Sequence, residues 1–260
     1  MNYQNFAKKV VESEEGRPHI FSVGQAGYII KNSKGNLLGI DLYLSECVEE
    51  LEGHIGFKRL QPHILEADEL ALDILIATHE HLDHYDKDSM PDLMANGKTT
   101  LYASVNCKEY VESSSIKKEN VNYVGPGDSA KDSGFSIHFV ECDHGEGAPD
   151  AFGVVVEMDG IVIYEAGDTC LRKDYAKNVI DEFGKIDILI APINGAYGNM
   201  NEKECVELVK YMEPQIVVPC HFGMFASHGG NPGLFLELMK KEKMDNKVRF
   251  LSIGEELKWE

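Results

Sequence analysis

The sequence predicts one mixed α/β domain, and three observations carry that reading. The chain has 260 residues, enough to bury a sizeable core and within the range that α/β folds fill as one domain, so 1–260 is read as a single unit. Short β-rich runs punctuated by Gly, Asp and Asn recur along its length. Amphipathic segments of helix length, with end signals, lie between the later runs. No internal repeat, low-complexity tract or linker divides the chain.

Taken in order, the strand-like runs are "GYIIK" (27–31), "NLLGID" (36–41), "DILIAT" (73–78), "TTLYAS" (99–104) and "FSIHFVE" (135–141), followed by "FGVVVEM" (152–158), "IVIYEAG" (161–167), "IDILIAP" (186–192), "QIVVPC" (215–220) and "VRFLSI" (248–253). The first half therefore reads as mostly strand. In 171–183, Leu171, Tyr175, Val179 and Phe183 repeat every four residues before Gly184, a natural helix stop. In 201–212, Asn201 reads as an N-cap with Glu204 three residues on, and Cys205, Leu208, Val209 and Met212 share one face. Asn231 and Pro232 read as cap and first position of a helix through "GLFLELMKKEKM".

With 25 Lys and Arg against 44 Asp and Glu, the net charge is −19. Phosphate backbones and anionic membrane surfaces would be repelled, so neither nucleic acid nor membrane is an expected partner. No run approaches the roughly 18 apolar residues of a transmembrane helix. Cys47, Cys107, Cys142, Cys170, Cys205 and Cys220 form no C-x-x-C pair, and "MNYQNFAKKVVESEEG" has no apolar leader core. The expectation is a cytoplasmic protein with reduced thiols acting on a small molecule. Its oligomeric state stays open, a homo-oligomer included.

Directly after the run "LDILI", the stretch "ATHEHLDHYD" places His79, His81, Asp83 and His84 within six positions. Imidazole nitrogens and carboxylate oxygens suit Zn, Mn or Fe, and a dense run after a strand suggests a loop around metal. A metal site needs further ligands, and three more strand-like runs end on one: "FSIHFVECDHGEG" on His144, "IVIYEAGDT" on Asp168 and "QIVVPCHFGMF" on His221. Groups gathered from several strand ends at one sheet edge are how α/β folds build active sites.

In this order, His-x-His-x-Asp-His, a downstream His, Gly-Asp-Thr and a final strand-end His resemble the metallo-β-lactamase superfamily over nearly the whole chain. The resemblance implies a four-layer αββα sandwich. It implies that His79, His81 and His144 hold one divalent metal, that Asp83, His84 and His221 hold a second, and that Asp168 bridges them. "FSVGQAGYIIKNSKGNLLGIDLYLS" is similar to the first hairpins of that fold, which makes Asp41 a residue supporting a ligand from behind. A closer resemblance, to the branch containing L-ascorbate-6-phosphate lactonase, rests on "GQAGYII", "IDLYLS", "APINGAYGNMNEKE" and "VVPCHFGMFASHGGNP". It implies Asn194, Tyr197, Asn199 and Met224 as substrate contacts. His228, seven positions after His221 in a Gly-rich loop, reads either as a proton donor or substrate contact or as an exposed loop histidine.

Two divalent metals about 3.5–4 Å apart, Zn or Mn with Fe as a third choice, can share a water, lower its pKa and present hydroxide. The expected function is hydrolysis of a lactone or related ester of a sugar acid, phosphorylated or not, with Asp83 and Asp168 orienting the nucleophile. A metal-dependent phosphodiesterase on a small substrate is the alternative, and a metal-binding protein without turnover the third class. Glu80 is expected to turn away from the metals, Cys142 and Cys220 to be small buried hydrophobes, and Arg172 to be the cation nearest a phosphate group.

Overall fold

A computed structural model describes residues 6–258. Residues 1–5, which open the stretch read as lacking a leader core, and residues 259–260 lie outside the described residues.

Two mixed sheets form the centre. The first runs in the order β1 (His19–Gly24), β2 (Gly27–Lys31), β3 (Leu37–Ile40), β4 (Ile74–Ala77), β5 (Thr100–Ala103) and β6 (Val121–Tyr123). It is antiparallel as far as β3 and parallel from there on. The second contains β7 (Ser129–Asp132), β8 (Phe135–Glu141), β9 (Phe152–Met158), β10 (Ile161–Glu165), β11 (Ile188–Pro192) and β12 (Ile216–Cys220), lying side by side in sequence order. It is antiparallel from β7 to β10 and parallel from β10 to β12.

Side chains alternate across each strand and so sort themselves into layers. On β11, Ile188 and Ile190 join Ile40, Ile76, Phe139 and Val154 in the core between the sheets, while Leu189 and Ala191 face outward. The outer face of the second sheet is covered by α5 (Lys173–Phe183), α6 (Glu202–Met212) and α7 (Pro232–Lys241), through Val179, Cys205, Val209 and Phe235. The outer face of the first is covered by α1 (Phe6–Val11), α3 (Met90–Leu93) and α4 (Lys108–Ser113), through Val10, Leu93 and Val111. The stack is helix, sheet, sheet, helix, as the resemblance implied.

Capping residues set the starts of α6 and α7 and the end of α5. Asn201 accepts from the backbone N–H of Lys203 and Glu204, and Glu204 accepts from the N–H of Asn201, which closes a capping box. Asn231 accepts from Leu234 N–H, and α5 stops at Gly184 with φ 70°.

Two expectations are corrected. The first half is not mostly strand: it also holds α1, α3 and α4, together with α2 (Cys47–Glu52), which are only four to six residues long. Fewer than two turns leave no helical period to read. "VRFLSI" is not a regular strand and pairs only through the single bridge Val217 to Val248. Its side chains serve different layers: Phe250 packs on the second sheet's helices, Leu251 between the sheets and Ile253 on the far side of the first. A segment that crosses the sandwich cannot also lie along one strand. Beyond it, Glu256 bridges to Phe21 of β1.

Among the described residues no helix is long and apolar enough to cross a membrane, and all six cysteines are free thiols.

Candidate active site

Strand direction gathers the site. In the first sheet β3 and β4 run parallel; in the second, β8 and β10 are each antiparallel to β9, and β10, β11 and β12 are parallel. Residues that follow β4, β8, β10 and β12 therefore leave their sheets at one edge of the sandwich. There His79, His84, His144, Asp168 and His221 are buried, and His81 and Asp83 are half-buried.

One carboxylate oxygen, Asp168 Oδ2, lies 3.0 Å from His221 Nε2, 3.5 Å from His84 Nε2 and 3.8 Å from His144 Nε2. On one side of it His81 Nδ1 stands 2.9 Å from His79 Nε2 and 3.2 Å from His144 Nε2. On the other, His221 Nε2 is 3.3 Å from His84 Nε2 and 3.5 Å from Asp83 Oδ2. Three compact donor groups result: His79, His81 and His144; His79, His84 and Asp168; and Asp83, His221 and His228.

Hydrogen bonds behind the rings select the inward nitrogens. Asp41, fully buried, accepts from Thr78 N–H at 2.8 Å, Thr78 Oγ1 at 2.6 Å and His84 Nδ1 at 2.6 Å. Asp41 thereby holds a proton on His84 Nδ1 and turns Nε2 to the cluster. Burial opposes a charge on this ring, but Asp168, Asp83 and Asp41 outweigh it and raise His84 well above the usual histidine range, so a metal arriving at Nε2 must displace a proton. His79 Nδ1 lies 3.1 Å from Thr78 Oγ1, whose own proton goes to Asp41, so His79 Nε2 is free. Six imidazoles and two carboxylates converge with few protein donors between them. Such a set is matched to divalent cations and to little else.

The proton affinities follow from the same crowding. Burial, joined by the neighbouring imidazoles, holds His79 well below the usual histidine range and His144 at about 4. Burial alone would lower His221 too, but Asp168 and Asp83 outweigh it and lift the ring to about 9. Burial opposes the charge on Asp83 and Asp168, yet His84 and His221 hold both carboxyls well below the ordinary range. In metal-free protein, protons on His84 and His221 thus take the place of cations, and metals must displace them.

Backbone strain collects here. Gln25, Asp41, Tyr197 and His221 all have φ between 46° and 60°, the left-handed region that non-glycine residues avoid. Gln25, in the turn from β1 to β2, was not singled out from the sequence. Its amide nitrogen donates to Asp83 Oδ2 at 2.7 Å and lies 3.1 Å from both His221 Nε2 and His228 Nδ1. The only sequence signal for it was its place inside "GQAGYII". Phe57 was missed as well: its ring packs 5.4 Å from Tyr197, 5.3 Å from His228 and 5.6 Å from Phe225.

Of the expected substrate contacts, Tyr197 and His228 line the cleft above the cluster. The other three do not. Met224 is fully buried beside Tyr43 and Phe225, under Gly24. Asn199 is buried and donates to Asp168 Oδ2 at 2.8 Å. Asn194 is buried under the loop that carries His228. Glu80 is outside the donor groups and accepts from Asn106, but it still forms part of the cleft wall. Cys142 Sγ donates to the Asp168 carbonyl at 3.0 Å and Cys220 packs between the sheets; neither is among the donor groups. Arg172 pairs with Asp143 and Asp174, each at 2.6 Å, and is not in the cleft lining.

A Cβ at Gly229 would overlap the Asn194 carbonyl oxygen. Gly229→Ala is expected to push the loop and His228 away from the cluster and to cost about 1–3 kcal/mol as an overpacking change. Thermal unfolding checks it, with a fall of about 2–4 °C per kcal/mol; an unchanged midpoint contradicts the close approach.

Glu165, buried behind Asp168, is raised to about 8 by burial and by the charge of Asp41. Its ordinary value is 4.5, so between those values the folded chain keeps a proton that the unfolded chain releases. Stability then falls as pH rises through that window, by up to about 1.4 kcal/mol per pH unit. In chelator-treated protein, Glu165→Gln is expected to melt near the wild type at pH 5 and progressively above it towards pH 8.5. A gap that stays constant over the range contradicts the assignment.

The fold and the donor set define a class: an αββα sandwich with a His/Asp cluster able to hold metal at one sheet edge. The family model described as a beta-lactamase superfamily domain matches residues 43–222. A UPF0173 metal-dependent hydrolase of Enterococcus faecalis is 32% identical over 184 residues, covering 67% of this chain and 78% of its own. One from Thermococcus kodakarensis is 27% identical over 244 residues, covering 90% and 96%. Igni18, a metallo hydrolase of Ignicoccus hospitalis, superposes with a TM-score of 0.70 at 20% identity over 94% of this chain and 98% of its own. The chain belongs to the metallo-β-lactamase superfamily and, within it, to the UPF0173 metal-dependent hydrolases.

Proposed function

We propose that the chain is a binuclear metal-dependent hydrolase of a lactone or related ester, with His79, His81 and His144 holding one metal, Asp83, His84 and His221 the other, and Asp168 shared. The observation that carries this reading is the position of Asp168 Oδ2, within 4 Å of imidazole nitrogens from both halves of the cluster. When bound, the metal pair would supply an acidified water as nucleophile and a Lewis acid for the carbonyl oxygen.

The chain's own residues prepare that chemistry. Asp41 keeps the proton of His84 on the outer nitrogen. Asn199 and Gln25 each donate to one cluster carboxylate, Asp168 and Asp83, which fixes the oxygens that orient the nucleophile. His228, stacked 4.8 Å from His221 and edged by Phe57 and Phe225, closes the cleft and keeps bulk water from one side. The likeness of "APINGAYGNMNEKE" to the lactonase branch supports a lactone ring as the reacting group.

The test is turnover by chelator-stripped protein reloaded with Zn, Mn or Fe, against a sugar-acid lactone, an aryl ester and a small phosphodiester. Metal-dependent hydrolysis of lactone or ester is the expected result. Hydrolysis of the phosphodiester alone would establish the phosphodiesterase instead, and tight metal binding without turnover of any of them would overturn the enzymatic reading.

A further inference from the structure

The cleft above the cluster has a volume of about 620 Å³, within the range of small-molecule sites. His81, Asp83, His144, Asp168 and His221 contribute to its lining, so it is continuous with the metal centre. Its walls are Val48, Leu51, Ile55, Phe57, Tyr110 and Tyr197. Leu51, Ile55 and Tyr197 leave 55%, 60% and 56% of their surface open to solvent. Large apolar side chains grouped in the open beside a reacting centre mark a ligand surface rather than scattered exposure.

The charged groups in the walls are Glu52 and Glu80, and no lysine or arginine is among the lining residues. Glu80 Oε2 is buried without a hydrogen-bond partner. A phosphate or carboxylate arm placed here would lose water against two carboxylates and gain no cation. Arg172, the one cation the sequence offered, is held elsewhere by Asp143 and Asp174.

We infer that the substrate's arm away from the reacting bond is uncharged and apolar, an alkyl or aryl chain lying against Leu51, Ile55, Phe57 and Tyr197, and that the chain discriminates against phosphorylated lactones. This rests on the hydrolase reading and names its substrate class. Each methylene that leaves water should raise kcat/KM by up to about three- to fourfold.

The experiment uses metal-loaded full-length protein and two readouts. Turnover is measured on γ-valerolactone, γ-nonalactone and a hexonolactone phosphate; affinity is measured calorimetrically for non-hydrolysable γ-lactams with a pentyl arm or a phosphorylated arm. The expected results are a kcat/KM at least about tenfold higher for the nonalactone than for the valerolactone, tighter binding of the pentyl lactam, and a fall in both preferences in Ile55→Lys and Leu51→Lys. Both positions are exposed, so the variants should fold, which their melting curves check. Equal or reversed preferences in the wild type overturn the inference even if lactones are hydrolysed. A pentyl preference in binding with no turnover of any lactone supports the apolar cleft and overturns the lactone as the reacting group alone. A shift in oligomeric state in Ile55→Lys, with no preference between arms, would assign the cleft wall to a second copy of the chain and overturn the inference.

Discussion

Asp168→Ala is expected to abolish measurable hydrolysis. Losing an outer partner of a metal ligand typically costs about 10–100-fold in metal affinity or activity, and Asp168 stands nearer than any outer partner. Its Oδ2 faces His84, His144 and His221 at 3.0–3.8 Å, so on the proposed assignment both halves of the cluster would lose a ligand at once. A fall in kcat/KM of about 10³-fold or more, roughly 4 kcal/mol of transition-state stabilisation, is the predicted size. Removing the carboxylate also leaves His84 and His221 without a buried counter-charge, so a melting curve of the variant accompanies the kinetics to show that it is folded. Steady-state kinetics on the best ester of the wild type checks the predicted fall. A loss below tenfold would mean that Asp168 is not a shared ligand.

Asp41→Ala is expected to have the largest effect on stability. The side chain is fully buried and accepts three hydrogen bonds, two from Thr78 and one from His84. Its loss strands those donors in the interior, and breaking a buried ionic pair by removing one partner costs about 3–5 kcal/mol. For a chain of this size the midpoint should fall by roughly 10 °C or more. Asp41→Asn separates structure from function. An amide can keep the Thr78 N–H bond through its oxygen, but its NH2 takes the place of Oδ2; Thr78 Oγ1 must turn from donor to acceptor, and His84 Nδ1 meets N–H, which drives the ring's proton onto Nε2, facing the cluster. Near-normal melting with metal affinity reduced about 10–100-fold is the expected result for Asn. Normal affinity in both variants would show that Asp41 does not set the tautomer of His84.

The part of this site that was legible in the sequence is the part written along single strands. His79 to His84 follow one apolar run, and His144, Asp168 and His221 each follow another; parallel and twice-reversed strand directions bring all of those ends to one edge. Capping chemistry placed α6 and α7 because Asn201 and Asn231 act within three residues of themselves. What was not legible depends on packing across the fold. Gln25 reaches Asp83, 58 positions away, only because the β1–β2 turn holds it at φ 54°. Phe57 meets Tyr197 and His228 across 140 and more positions. Met224 reads as a pocket residue beside His221, yet the chain turns it under Gly24 and into an apolar cluster. Arg172 lies close to Asp168 in sequence, but two acidic neighbours claim its guanidinium.

If Asp168 joins two metal sites in one cluster, metal content depends on it. Elemental analysis of protein purified without chelator, beside Asp168→Ala prepared identically, should find close to two divalent metals per chain in the wild type and a clear loss in the variant. One metal or none in the wild type, unchanged by the substitution, would contradict the shared role of Asp168.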